Sequence, residues 1–466
     1  MGFLPLLTRD RGRSLHLPAH GRGAGLPDDL RAMLRHRAGI WDLPELPELG
    51  GPLMQEGAVA ESQRQAAIAI GAERGWYGVN GATGLLQAAL LAIARPGQAV
   101  LMPRNVHRSL IQACVLGDLT PVLFDLPFMV DRGHVFPPDG PWLKDVLNEL
   151  PIAGVEIAAA VLVHPTYQGY ATDLKPMVVE LHSRGWPVLV DEAHGAHFAS
   201  RVDASLPDSA ITAGADLIVH SLHKSAAGLT QTAVLWSQGD RVDPKAVERS
   251  LGWLQTTSPS ALLLASCEAS LNDLCKPAGL HKLGTRLKDA RELAVQLRQL
   301  GLPLLENQDP LRLILHTAAD GISGLEADAW LMDRGLVGEL PEPGCLTFCL
   351  GLAPQRGLVR LMHRRWRGLL AAKGQGLPLP VFTPPPLPRI TAPAMACGLA
   401  WRAQSQRVSI ADAVGRVAAE LICPYPPGIP LLVPGEKLDH RRVDWLLEQQ
   451  NLWPEQIAGT VKVLAL

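Results

Sequence analysis

Two side chains raise the first chemical question. Asp191 ends the apolar run of PVLVDEAHGAH (187–197), and Lys224 lies just after that of DLIVHSLHKS (216–225). They are 224 − 191 = 33 residues apart, enough for two parallel strands joined by a helix-containing crossover. Ligands of open α/β sheets sit beyond the carboxyl ends of the strands. An amine and a carboxylate there suit pyridoxal phosphate. The lysine amine condenses with the aldehyde, and the carboxylate keeps the pyridine nitrogen protonated so that the ring accepts electrons. Taken alone, the pair also fits a helix-capping aspartate and a solvated lysine.

Other stretches bear on that choice. VNGATG (79–84) opens the helical pattern LLQAALLAIA (85–94). Small residues at a helix start, here Gly81, Ala82, Thr83 and Gly84, expose backbone N–H groups and the positive end of the dipole to a phosphate. The Thr83 hydroxyl adds a donor, and Ser221 and His223, flanking the lysine, could reach the same phosphate. His107 in PRNVHRS (103–109) could stack on an aromatic ring, or simply be satisfied by a hydrogen bond at a helix start. His164, Thr166 and Tyr167 of HPTYQG (164–169) would point into the same crevice.

These residues need a scaffold, and the pattern between them supplies one. The runs AVLMP (99–103), PVLFD (121–125), AAAVLVHP (158–165), PVLVD (187–191), DLIVHS (216–221) and TAVLW (232–236) alternate with amphipathic stretches. Continuous apolar runs of this kind predict a parallel-type sheet covered on both faces. DLKPMVVELHSR (173–184) reads as one covering helix, with Asp173 at its N-cap and Gly185 just beyond its end. Beyond it, LRLILH (311–316) and CLTFCLGL (345–352) suggest a smaller α+β domain. The expected organisation is an arm over 1–60, a cofactor-binding large domain over 61–290, and a small domain over 291–374. A proline-rich connector over 375–394 and a C-terminal segment over 395–466 follow, the latter with a helix over 409–421.

Bulk properties narrow the function classes. A chain of 466 residues exceeds one ordinary core, and 47% hydrophobic residues support extensive burial. The net charge of −2 with no long basic run points away from nucleic acid and membrane surfaces. Seven scattered cysteines without CxxC spacing argue against a disulfide framework or a zinc site. No apolar run reaches the roughly 18 residues of a membrane span, and the short N-terminal apolar stretch does not form a signal peptide. The expectation is a soluble cytoplasmic protein with no metal.

With those motifs in order, the sequence resembles the bacterial ornithine/lysine/arginine decarboxylases in their short form. The likeness runs from HLPAHGRG (16–23) through VNGATG, PRNVHRS, HPTYQGYATDL, VLVDEAHGAHF, HSLHKS and QTTSPS (255–260) to PYPPGIPLLVPGE (424–436). It implies an aspartate-aminotransferase-like fold: a large α/β domain with a mostly parallel seven-stranded sheet, plus a smaller α+β domain. It implies pyridoxal 5'-phosphate as cofactor and α-decarboxylation of arginine, lysine or ornithine. Lys224 would be the Schiff-base lysine and Asp191 the pyridinium partner. His107 would stack on the ring face opposite Ala193, with His194 beside the ring. The 82–84 backbone, Thr83, Ser221 and His223 would hold the phosphate, and Lys224 or His223 would return a proton to Cα. Thr257 and Ser258 would reach the cofactor of a neighbouring subunit in a homodimer or higher oligomer. The chain departs from the family pattern at Gly21, where a lysine is usual, at Ala82, where a hydroxyl is usual, and at Ala261, where an aromatic is usual. Transamination or aldol-type cleavage on the same scaffold, and a catalytically inactive regulatory relative, are the alternative readings. Glu339, Glu342 and Glu436 are the candidate receptors for the substrate's distal cation.

Overall fold

The computed structural model describes residues 12–36, 38–150, 156–424 and 429–465. Its centre is an eight-stranded sheet in the order Ile390–Thr391, Thr120–Phe124, Ala99–Pro103, Ile157–Val163, Val188–Asp191, Leu217–Ser221, Ala233–Ser237, Arg74–Gly78. The five strands from Thr120–Phe124 to Leu217–Ser221 are parallel, and Ala233–Ser237 runs antiparallel to both of its neighbours. The expected count of seven strands is therefore corrected to eight. The additional edge strand is only two residues long and comes from the proline-rich connector, where proline content masks any strand pattern.

Side chains alternate across each strand, and here both faces are buried. Val188 and Val190 join one hydrophobic cluster, whereas Leu189 joins another on the opposite face. That is why these strands read as unbroken apolar runs. The helix Gly81–Ile93 starts four residues earlier than the sequence pattern suggests, so VNGATG contributes its first turn. The covering helix spans Lys175–Ser183, with Asp173 Oδ1 accepting from the Lys175 N–H and Gly185 at φ +78°.

The small domain holds an antiparallel sheet of Leu304–Leu305, Arg312–Leu315, Leu346–Cys349 and Leu340–Pro341. Leu313, Leu315 and Phe348 share one hydrophobic cluster with Leu287, Met362 and Trp366 from the helices Pro277–Gln299 and Leu358–Lys373. The N-terminal residues Arg13–Ser14 pair in parallel with Leu336–Val337, and Leu15 is fully buried.

The helix expected over 409–421 is absent. Ser405–Ser409 forms a strand paired with Thr460–Leu464, followed by a short 3-10 turn over Ala411–Ala413. Only Ser409 of the stretch belongs to that strand. Further along, Val417 and Ala418 bridge to Lys437 and Val463, and the N–H groups of Ala418 and Ala419 donate to the carbonyls of Glu436 and Lys462. Partners distant in sequence thus take the backbone groups a helix would have used. Together with the helix His440–Leu452 these strands enclose a separate core that includes Leu431, Trp445 and Val463.

Buried Arg104 fastens this C-terminal unit to the large domain. Its guanidinium meets Glu436 Oε1 at 2.5 Å and donates to the carbonyls of Pro430 and Leu431, each at 3.1 Å, as well as to the Thr391 hydroxyl. No helix among the described residues is long and apolar enough to cross a membrane, and no group of His, Cys, Asp and Glu among them could hold a metal ion.

Candidate active site

Strand register brings the chemistry to one edge. Asp191 is the last residue of its strand and lies level with Val163 and Val219 on the two neighbouring strands. Ser221 pairs with Ala233, which pairs in turn with Gly78. The segments that follow Asp191, Ser221 and Gly78, carrying Ala193 and His194, Lys224, and the 79–84 turn, therefore leave the same end of the sheet. A cavity of about 970 Å³ opens there, lined by Lys224, Asp191, His194, His107 and Tyr167 among others.

Lys224 sits in the single turn Leu222–Ser225, and its Nζ lies 3.0 Å from His194 Nε2. Tyr167 fixes that imidazole by ring contact at 4.2 Å, and Arg312 approaches its Nδ1 at 3.5 Å. A guanidinium only donates, so Nδ1 faces it as an acceptor and the ring proton of neutral His194 belongs on Nε2. Lys224 then meets that proton as an unprotonated amine. The electrostatics agree. Burial lowers the Lys224 pKa, and Arg312 lowers it further, against a raising influence from Asp191. Burial, Lys224 and Arg312 hold His194 well below the ordinary imidazole value. A neutral amine is the nucleophilic form.

Asp191 Oδ1 accepts from the Ala193 N–H at 3.2 Å, which orients the carboxylate at the cavity. His107 is the N-cap of the helix Arg108–Gly117. Its Nδ1 accepts from the Ser109 N–H and lies 2.8 Å from the Ser109 hydroxyl. The satisfied helix-start histidine and the cavity-facing ring are thus the same residue: the cap fixes the imidazole while the ring remains open to the cavity. Burial lowers its pKa, offset in part by Asp191.

The Gly-rich turn divides in function. The Gly81 N–H donates to the Gln231 carbonyl at 2.9 Å and is already engaged. Asn80, at the N-cap, provides no side-chain cap, because its amide donates to the Leu254 carbonyl instead. The first-turn N–H groups of Ala82 and Thr83 are thereby left without a capping side chain, the condition under which a helix start receives an anion. Ser221 Oγ and His223 Nδ1 are 3.1 Å apart. Neither Ser221, His223 nor the 81–84 turn lines the large cavity, and burial and Lys224 push the His223 pKa down to about 4. Thr257 and Ser258 are exposed and also lie off the cavity. Of the motif PYPPGIPLLVPGE, residues 425–428 lie outside the described residues, whereas Ile429, Pro430 and Pro434 line the cavity.

Of the three carboxylates proposed for the distal cation, Glu436 is consumed by Arg104 and the Val433 N–H. Glu339 accepts from the Tyr167 hydroxyl at 2.6 Å and the Leu17 N–H at 2.8 Å. Only Glu342 of the three lines the cavity, beside Gln168 and His134. Sequence reasoning missed Arg312, whose signal was a lone charge inside the strand LRLILH, and His134, which carried no signal at all.

Comparison with known proteins gives the family and the fold. Residues 8–314 match the family described as Orn/Lys/Arg decarboxylase, major domain, and residues 381–456 match its C-terminal domain. The chain is 31% identical over 454 residues to an arginine decarboxylase of Halalkalibacterium halodurans, covering 94% of this chain and 90% of that protein. It is 30% identical to an arginine decarboxylase of Bacillus subtilis, covering 93% and 89%. Among solved structures, lysine decarboxylase A from Pseudomonas aeruginosa superposes with a TM-score of 0.77 at 18% identity, covering 97% of this chain and 78% of that one. The constitutive lysine decarboxylase of Escherichia coli gives 0.75 at 19% identity, covering 94% and 79%. Likenesses of that degree speak to the fold.

Proposed function

The chain belongs to the Orn/Lys/Arg decarboxylase family, and on that premise we propose that it releases CO₂ from a basic amino acid with pyridoxal phosphate as its cofactor. The observation that carries the reading is the meeting of the Lys224 amine and the Asp191 carboxylate, from adjacent strand ends, on one cavity. The residues present fit the group. Lys224 supplies a neutral amine for its aldehyde, Asp191 a carboxylate for its ring nitrogen, and His107 an imidazole for its ring face. Ala82 and Thr83 offer uncapped N–H groups for its phosphate, with Ser221 and His223 across the sheet edge. When bound, the cofactor supplies the electron sink that accepts the pair left by departing CO₂.

The protein does the rest. Asp191 holds a proton on the ring nitrogen. His107 and Ala193 would hold the ring between them. Lys224, which lines the cavity, would return the proton to Cα. His223 is the less suited donor, because a group with a pKa of about 4 is unprotonated at neutral pH. Thr257 and Ser258 are exposed on a single chain, as expected of residues that complete the site of a second copy. Sedimentation of the purified protein should accordingly give a dimer or larger.

Carboxyl-labelled arginine, lysine and ornithine, supplied separately, test the reaction. Labelled CO₂ with the matching amine is expected. Keto acid without CO₂ would replace the proposal by transamination, and no turnover of any substrate would favour an inactive relative. Borohydride reduction followed by peptide mapping should place the pyridoxyl group on Lys224.

A further inference from the structure

We infer that Glu342, with His134 beside it, is the receptor for the substrate's distal cation, and that the pair favours a guanidinium over an ammonium; the assignment rests on the decarboxylase reading. Three carboxylates line the cavity: Asp191, Glu342 and Glu420. Asp191 is directed to the cofactor. Glu420 lies at the rim, 35% exposed and 3.5 Å from Arg407. Glu342 is only 2% exposed. It sits on the tight turn between Leu340–Pro341 and Leu346–Cys349, where its N–H donates to the Cys345 carbonyl at 2.8 Å. That turn belongs to the small domain, and it brings Glu342 against Gln168 and His134 of the large domain, on the same cavity that Lys224 lines. A substrate held at Lys224 by its α-amine would reach across toward it.

The local chemistry is short of donors. Gln168 Nε2 donates to Glu342 Oε1 at 2.7 Å, and His134 Nδ1 lies 3.2 Å from Oε2. Among the described residues no lysine or arginine is within ion-pair distance of this carboxylate. Arg132 is turned instead to Asp131 at 2.8 Å and to the Tyr170 hydroxyl at 3.4 Å. A carboxylate accepts at about four lone-pair positions, so Glu342 retains acceptor capacity.

His134 adds to it. The ring is 1% exposed, lines the cavity, and has no hydrogen-bond partner at Nε2. With its Nδ1–H given to Glu342, Nε2 is an acceptor. Buried acceptors without donors are costly, and a donor-rich cation relieves both residues together. A guanidinium presents five N–H groups in a fixed planar fork, which can serve acceptors on two residues at once. An ammonium has three donors at one point, and the shorter stem of ornithine reaches less far.

The test uses the full-length, cofactor-loaded enzyme with arginine, lysine and citrulline, the last being the uncharged isostere of arginine. A contact made far from the reacting bond acts alike on bound substrate and transition state, so its loss appears in KM. Glu342→Gln should raise KM for arginine by about 100-fold with a much smaller change in kcat. KM for citrulline should hardly move, so the preference for arginine over citrulline collapses. Glu342→Asp, which keeps the charge, should recover part of the loss. His134→Gln should erode arginine more than lysine, which keeps the proposal falsifiable should Glu342→Gln not fold. Unchanged KM and unchanged preference in variants that retain the cofactor's visible absorbance would overturn the assignment while leaving the decarboxylase reading intact. Absence of CO₂ from every basic amino acid in the unaltered protein would instead overturn that reading, and this assignment with it.

Discussion

The cavity floor and the core layer directly beneath it are built from the same two strand ends, yet they are opposite electrostatic environments. Asp191 and Glu192 are consecutive, and the alternation of the chain sends them apart. Asp191 opens onto the cavity. Glu192 is fully buried, where it accepts from the Ser209 hydroxyl at 2.7 Å and the Ala210 N–H at 2.9 Å, and meets His220 Nε2 at 2.7 Å. His220 Nδ1 in turn accepts from the Trp236 indole at 3.0 Å, which puts the ring proton on Nε2, facing Glu192. In that layer donors match acceptors. On the floor, burial first, and then neighbouring Arg312, depress proton affinity at Lys224 and His194, and Lys224 adds to the effect at His194. A satisfied network rigidifies the scaffold, whereas mutually frustrated groups are poised for a ligand that relieves them.

Substitutions can sharpen or break this contrast. The largest effect is expected from Lys224→Ala, which should abolish covalent retention of the cofactor and lower turnover by on the order of 10⁴-fold or more. Thermal melting of the variant should be near normal, and a steep drop in Tm would mean that the amine also serves the scaffold. Asp191→Asn should lower turnover by about 10²–10³-fold, again with little change in Tm, as read by steady-state kinetics and calorimetry on one preparation.

Glu192→Ala should behave in the reverse sense. Removing one partner of a buried pair leaves the others unpaired and costs about 3–5 kcal/mol. The fall should appear in the denaturation midpoint, while the variant that remains folded keeps KM. A Glu192 variant of normal stability and poor turnover would erase the distinction between the two layers.

The smallest effect is a pH dependence. Burial lowers the pKa of His164, His194 and His223, the last from 6.5 to about 4. The unfolded chain then takes up protons before the folded one as pH falls. The stabilisation is fully present above about pH 6.5 and is lost progressively toward pH 4. Tm should fall between pH 7.5 and 5, and His223→Asn should flatten that slope slightly. A Tm that rises on acidification through this range would contradict the sign.

Much of the floor was legible because its residues sit in short runs where local physics dominates. An aspartate ending an apolar run and a lysine just after another announce strand ends by pattern alone. Gly81 shows where that legibility stops. Its place in VNGATG suggested a phosphate donor, but the carbonyl of Gln231, 150 residues away in sequence, takes its N–H. The 409–421 stretch failed for a related reason, since helix-like spacing yielded to bridges from Val417 and Ala418 to Lys437 and Val463, distant in sequence.

The sequence by itself determined the alternation of buried strands with covering helices, the lysine and carboxylate at neighbouring strand ends, and the resemblance that names a chemistry. These depend on periodicity and on motifs whose parts lie within a few residues of one another. Only the tertiary structure decided which of Glu339, Glu342 and Glu436 lines the cavity, that Arg312 and Tyr167 hold His194 from the side, and that Arg104 binds the C-terminal unit to the turn bearing His107. Each of those is a meeting of side chains from segments far apart in the chain. Their partners are chosen by how sheets and domains pack, and residue type and spacing carry no record of that choice.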